Sequence, residues 1–139
     1  MKRKDNKILL EFNSHIKFTE FCVLVFSFLR TYLHIGEEEF FKIEISLREV
    51  INNAIIHGNK NDPQKRVYVS FEWEKEYLRI HIKDENLEKV DFDAINQRLA
   101  NNDLLSVSGR GILIMKSYMD KVEFMPTPTG TEIVMEKKL

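Results

Sequence analysis

The sequence predicts one α+β domain. Three observations carry this expectation. The chain has 139 residues, a length that suits a single domain with its own core. A short first run and a hairpin-shaped pair further on show the period-two alternation of strands with one buried face. Two long segments between them carry apolar residues at helical spacing.

Taken in order, Ile8, Leu10 and Phe12 alternate with Leu9 and Glu11, which predicts a first strand. Over 17–33 the spacing of Phe18, Phe21, Cys22, Val25, Phe28, Leu29 and Leu33 predicts a largely buried helix ending near Gly36. Glu37, Glu38 and Glu39 suit the first turn of a second helix, where carboxylates meet the positive end of the dipole. Its apolar positions run from Phe40 to Ile55, and Gly58 is expected to stop it in a left-handed cap. After a turn over 59–63, Val67, Val69, Phe71 and Trp73 alternate, as do Leu78, Ile80 and Ile82. Together they predict a β-hairpin, although its turn lacks a glycine. The segment 84–108 is mostly polar, with a short helix expected around 92–99. Ile112 to Met115 begin another helix, and strands are expected over 121–125 and 131–137.

Composition narrows the function classes. Apolar residues make up 43% and charged residues 31%, the proportions of an ordinary globular protein. A formal net charge of -1 argues against a general nucleic-acid binder, which carries a basic excess. The lone Cys22 excludes an internal disulfide and, in its apolar run, reads as a small buried hydrophobe. The longest apolar stretch, 21–29, is far below the roughly 20 residues that span a bilayer. No secretory segment is visible at the start, so a cytoplasmic protein is expected.

Four pieces carry chemistry. In the run Glu49-Val50-Ile51-Asn52-Asn53-Ala54-Ile55-Ile56-His57-Gly58, Glu49 and Asn53 are four apart and share a helix face. An amide oxygen is a hard ligand suited to Mg²⁺, and the carboxylate could orient or deprotonate a nucleophile. The same pair alone fits a solvated polar stripe. Asp84 stands where a strand gives way to a loop, where it could accept from an exocyclic amine or simply cap a turn. Gly109-Arg110-Gly111 precedes a helix, where backbone N–H groups can approach phosphates and Arg110 can add charge. It is neither a Walker A nor a Rossmann pattern. Gly130-Thr131 opens the last strand.

In this order and spacing the four pieces resemble the N, G1, G2 and G3 boxes of the GHKL ATPase superfamily. That group includes gyrase, histidine kinases and mismatch-repair ATPases. Within it the chain is most similar to the bacterial anti-sigma factor serine/threonine kinases, stand-alone domains of about this length. The resemblance implies a Bergerat-type two-layer α/β sandwich over 1–139, with a mixed, mainly antiparallel sheet, helices on one face and an ATP lid over 85–108. It implies ATP and Mg²⁺ as cofactors. It implies Glu49 as the catalytic residue, Asn53 as the magnesium ligand and Asp84 as the adenine-binding residue. Gly109 and Gly111 match the phosphate-loop glycines, and Thr131 the nucleotide-site threonine. Implied partners are a sigma factor, held inactive, and an anti-anti-sigma protein, phosphorylated on serine or threonine. Neither nucleic acid nor membrane is an implied partner. The surplus of aromatic residues on the first helix also suits a homodimer.

Two departures from the family pattern stand out. The G1 box, usually Asp-x-Gly-x-Gly, reads Asp84-Glu85-Asn86-Leu87-Glu88, with both glycines gone. Asn86 accepts positive φ more readily than most residues. An arginine common two residues before the first G2 glycine is replaced by Val107, leaving Arg110 or Arg98 to supply charge. These changes motivate an alternative: a non-catalytic partner-switching module with a degenerate ATP site.

Overall fold

The computed structural model describes residues 6–87, 93–94, 96–97 and 115–139. Five strands, β1 (Lys7–Asn13), β2 (Arg66–Glu74), β3 (Tyr77–Lys83), β4 (Lys121–Pro126) and β5 (Thr131–Lys138), form one sheet. Their order is β1-β2-β3-β5-β4, and all four pairings are antiparallel. Helices α1 (Phe18–Leu33) and α2 (Glu37–Asn53) lie between β1 and β2 in the chain. Both contribute to the single core cluster on one sheet face. This is the α+β class expected.

The two faces of the sheet differ because side chains alternate. On the helix side, Val67, Val69 and Phe71 of β2 and Leu78, Ile80 and Ile82 of β3 are all buried. Phe26 of α1 lies between Phe40 of α2 and Phe71 of β2, with ring centroids 5.2 and 5.9 Å away and nearly parallel planes. One ring thus joins both helices to the sheet. On the other side, register aligns Lys7, Glu72, Arg79, Glu136 and Lys121 in one row of alternating charge. Lys7 and Glu72 come within 3.5 Å and Arg79 and Glu136 within 2.6 Å. Such exposed pairs contribute little individually, about 0–1 kcal/mol, but they leave this face wet and direct the helices to the opposite one.

One helix end meets its expectation and the other corrects it: α1 ends near Gly36, as expected, although Gly36 is not its cap. α1 stops before Gly36: His34 takes the left-handed conformation (φ 55°, ψ 44°), and the Ile35 N–H donates to the Arg30 carbonyl at 3.0 Å. This six-to-one closure is a Schellman motif, and the residue after the cap, Ile35, is buried as the motif favours. Gly36 instead precedes α2 in extended conformation. At the other end, α2 does not stop at a left-handed Gly58. It widens into one π-helical turn, Ala54–Gly58, and the positive φ falls on Lys60 and Asn61. Such turns recur at functional sites.

The hairpin closes through Lys75 and Glu76, neither of which has positive φ, so no glycine is required. Residues 93–94, 96–97 and 115–118 are helical. The Asn96 carboxamide donates to the Phe124 carbonyl at 2.9 Å and accepts from the Phe124 N–H at 3.0 Å. It satisfies the outward backbone groups of Phe124 on the edge of β4 as a neighbouring strand would. Cys22 is buried, as expected. Trp73 is only half-buried and meets the exposed Tyr32 edge-on at 6.1 Å.

Candidate functional site

The site is built where three chain segments meet at the C-terminal end of α2. β3 ends at Lys83, so Asp84 is delivered to the rim of the sheet. Its backbone N–H still donates to the Thr131 carbonyl at 2.9 Å, extending the ladder to β5 by one residue. The carboxylate turns back on the same neighbour: Oδ1 accepts from the Thr131 N–H at 3.1 Å and from the Asn86 N–H at 2.9 Å. Among the described residues no hydrogen bond reaches Oδ2. The residue is 8% exposed. Burial raises its carboxyl above the ordinary carboxylate range, and the two backbone donors and the nearby Lys65 only partly oppose this. A carboxylate so placed favours a ligand that donates a hydrogen bond to its free oxygen.

Two glycines make room for it. A Cβ on Gly58 would lie 2.8 Å from Asp84 Cγ and closer still to Oδ2. A Cβ on Gly130 would lie 2.8 Å from both the Asn86 nitrogen and the Asp84 carbonyl carbon. Carbon atoms in ordinary contact sit about 3.5–4.0 Å apart. The chain at Asp84–Asn86 therefore threads between Gly58 and Gly130 at a distance no side chain permits. Gly58 is demanded by close approach, not by its backbone angles. Asn86, for its part, is not among the residues with positive φ, so the turn that usually carries a glycine here forms without one.

Glu49 and Asn53 lie on α2 on the way to this point. Both are half-buried, and among the described residues neither side chain makes a hydrogen bond or an ion pair. Their neighbours are committed elsewhere. Asn52 Oδ1 accepts from the Thr19 hydroxyl at 2.8 Å, tying α2 to α1. Arg48 pairs with both Glu20 and Glu44. Asn53 precedes Gly58 by five residues and Glu49 precedes it by nine, roughly 7 and 13 Å along a helix axis. The structure thus brings Glu49, Asn53, Asp84 and Thr131 to one end of the fold. Gly109, Arg110 and Gly111, together with Arg98, Val107 and Glu88, lie outside the described residues. His57 is exposed.

One contributor was not singled out in the sequence. Asn59, fully buried, donates from Nδ2 to the Ser14 hydroxyl and the Arg66 carbonyl, both at 3.0 Å, and accepts at Oδ1 from the Glu85 N–H at 2.8 Å. In the sequence it looked like the first residue of a turn.

Residues 18–137 match the family described as the histidine kinase-like ATPase domain. The chain belongs to that family. Similar proteins include the anti-sigma F factor of Shouchella clausii, 31% identical over 136 residues, covering 96% of this chain and 93% of that protein. The anti-sigma F factor of Bacillus subtilis is 33% identical over 137 residues, again 96% and 93%. That of Oceanobacillus iheyensis is 34% identical over 119 residues, 84% and 81%. The mainly antiparallel five-stranded sheet with helices packed on it is consistent with the fold of that family. A separate groove of about 620 Å³ lies at the other end of α2, lined by Arg30, Glu37, Glu38, Phe40, Phe41 and Glu44, and contains none of the site residues expected from the sequence. No described helix is long and apolar enough to cross a membrane.

Proposed function

We propose that this chain is an ATP-binding anti-sigma factor that is also a serine/threonine protein kinase. In this reading it sequesters a sigma factor and phosphorylates a serine or threonine of an anti-anti-sigma protein, working in the cytoplasm. The observation that carries it is Asp84: one carboxylate oxygen is fixed by two backbone N–H groups and the other has no described donor, beside the helix that bears Glu49 and Asn53. The naming of the similar bacterial proteins as anti-sigma F factors supports the sigma-factor partner.

The residues present fit an adenine nucleotide with magnesium. Asp84 Oδ2 is free to accept from the exocyclic amine of adenine. Asn53, with no described partner, offers an amide oxygen to Mg²⁺, an ion that commonly takes few protein ligands. Glu49 lies further from the base end and acts as the base toward the incoming hydroxyl. Back along α2 from Gly58, which abuts Asp84, Asn53 comes before Glu49, so the magnesium ligand would lie nearer the base than the catalytic carboxylate. Gly109, Arg110, Gly111 and Thr131 complete the nucleotide contacts. Bound ATP with magnesium supplies the phosphoryl group. At the first lost G1 glycine, Asn86, the turn closes without positive φ, and Gly58 and Gly130 supply the clearance, which supports a working site over the non-catalytic alternative.

The outer side of α1 exposes Phe21, Leu24, Phe28 and Tyr32 at spacings of three, four and four. We assign this stripe to a homodimer. Phe28→Glu is expected to shift the sedimenting species from dimer to monomer, and an unchanged mass would remove the stripe from the interface.

The kinase assignment is tested by transfer of labelled phosphate from ATP to a candidate antagonist. Wild type is expected to label it, and Glu49→Ala to bind ATP without labelling it. Equal transfer by both proteins refutes the role of Glu49. ATP binding without transfer by either points to the non-catalytic module.

A further inference from the structure

Asn59 is the most completely engaged polar side chain near Asp84, and it touches none of the groups assigned above to nucleotide. Its 0% exposure means that every hydrogen-bonding atom has to find a partner inside the protein. Three chain segments meet on it: the turn after β1 through Ser14, the start of β2 through the Arg66 carbonyl, and the residue following Asp84 through the Glu85 N–H. The orientation of its amide is forced. A carbonyl can only accept and an N–H can only donate, so Nδ2 must face Arg66 and Oδ1 must face Glu85. Its own N–H donates to the Ala54 carbonyl at 2.8 Å, closing the π-helical turn. Asn59 is therefore rigidly attached to the helix that carries Asn53 and, through Glu85, to the strand end that carries Asp84.

The position of Asp84 depends on this attachment. Gly58 and Gly130 leave space for the Asp84–Asn86 chain, but space does not fix it. The carboxylate is held through Oδ1 only, and the backbone immediately after it is held by Asn59. Arg66 adds a second link, its N–H donating to the Glu85 carboxylate, but this partner is on the surface. We infer that Asn59 is a positioning residue. Its buried carboxamide sets where Asp84 presents the free oxygen, and hence sets the preference for adenine over guanine nucleotides. This rests on the nucleotide reading above. Guanine carries a carbonyl oxygen where adenine carries the amine, so a correctly placed carboxylate rejects it, whereas a displaced one discriminates less.

The test compares ATP and GTP affinities of the full chain, with magnesium, for wild type, Asn59→Asp and Asn59→Ser. Asn59→Asp keeps shape and the acceptor for Glu85 but cannot donate to the Arg66 carbonyl. Asn59→Ser removes the reach without adding charge. Either variant that melts in one cooperative transition is expected to bind ATP about tenfold more weakly, the effect of disturbing one charge-assisted hydrogen bond. GTP affinity is expected to stay unchanged, so the ATP-to-GTP ratio falls by the same factor. A purely structural role would weaken both nucleotides together and keep the ratio. A folded variant with the wild-type ratio overturns the inference. In the wild-type chain, ATP but not GTP is expected to slow hydrogen exchange at the Glu85 and Asn86 amides. Equal exchange with both nucleotides also overturns it. Failure of the wild type to bind ATP at all would instead sink the nucleotide reading, and this inference with it.

Discussion

Gly58→Ala isolates the close approach on which the site depends. The new Cβ would stand 2.8 Å from Asp84 Cγ, roughly 0.7 Å inside the shortest ordinary carbon–carbon contact. Two effects oppose each other in stability. Overpacking of this kind costs about 1–3 kcal/mol. Replacing a helical glycine by alanine returns about 1 kcal/mol, because the backbone here is not left-handed. The net loss is about 0–2 kcal/mol, small enough for the variant to stay folded. Binding has no such compensation. The Asp84 carboxylate has to swing away, which strains its bonds from the Thr131 and Asn86 N–H groups and misplaces Oδ2. Loss of a hydrogen bond to a charged group costs about 1.5–3 kcal/mol, or roughly 10- to 150-fold in ATP affinity. Calorimetric titration of ATP with magnesium measures this directly, beside a melting curve. Gly36→Ala is the control, since nothing lies within 4 Å of its added Cβ, and it is expected to bind as wild type does. Wild-type ATP affinity in a folded Gly58→Ala protein would refute the reasoning.

Further outcomes follow from the same geometry. Asp84→Asn is expected to lose ATP binding yet melt above wild type at neutral pH. Burial raises the Asp84 carboxyl, so its contribution to stability is full below the unfolded-state value and is lost as pH rises through the folded one. The gap between the two melting temperatures should therefore close in acid, and a gap that widens there contradicts the assignment. For the same reason ATP affinity should begin to fall at a higher pH than an ordinary aspartate gives. Phe26→Ala removes the ring between Phe40 and Phe71 and is expected to cost about 3–5 kcal/mol, lowering the Tm by roughly 10–20 °C. The Cys22 thiol is pushed up to about 12 by burial, so a thiol reagent at pH 8 is expected to react only after denaturant is added.

Much of the fold was legible because local patterning and tertiary structure agree. The alternation from Val67 to Trp73 and from Leu78 to Ile82 gave the central hairpin, and every one of Val67, Val69, Phe71, Leu78, Ile80 and Ile82 is buried. The helical spacing beginning at Phe18 and Glu37 gave both helices. What could not be read locally were the uses of particular residues. Gly36 and Gly58 both looked like helix stops, yet His34 takes the left-handed cap, and Gly58 is required by a carboxylate 26 residues further along the chain. A glycine demanded by a distant neighbour carries no local mark. Asn59 was hidden for the same reason, since its partners Ser14 and Glu85 come together only in the folded chain. The open Asp84 oxygen was not visible either. A strand-end aspartate caps turns in many proteins, and only the placement of Gly58, Gly130 and Thr131 around it distinguishes this one.

A crystal structure of the chain with magnesium and a non-hydrolysable ATP analogue tests the central claim most directly. The expected result places the adenine amine within hydrogen-bonding distance of Asp84 Oδ2 and the phosphates on the side of α2 that carries Asn53 and Glu49. A nucleotide bound elsewhere, for instance in the groove between Arg30 and Phe41, with Asp84 and Asn53 untouched, would contradict it.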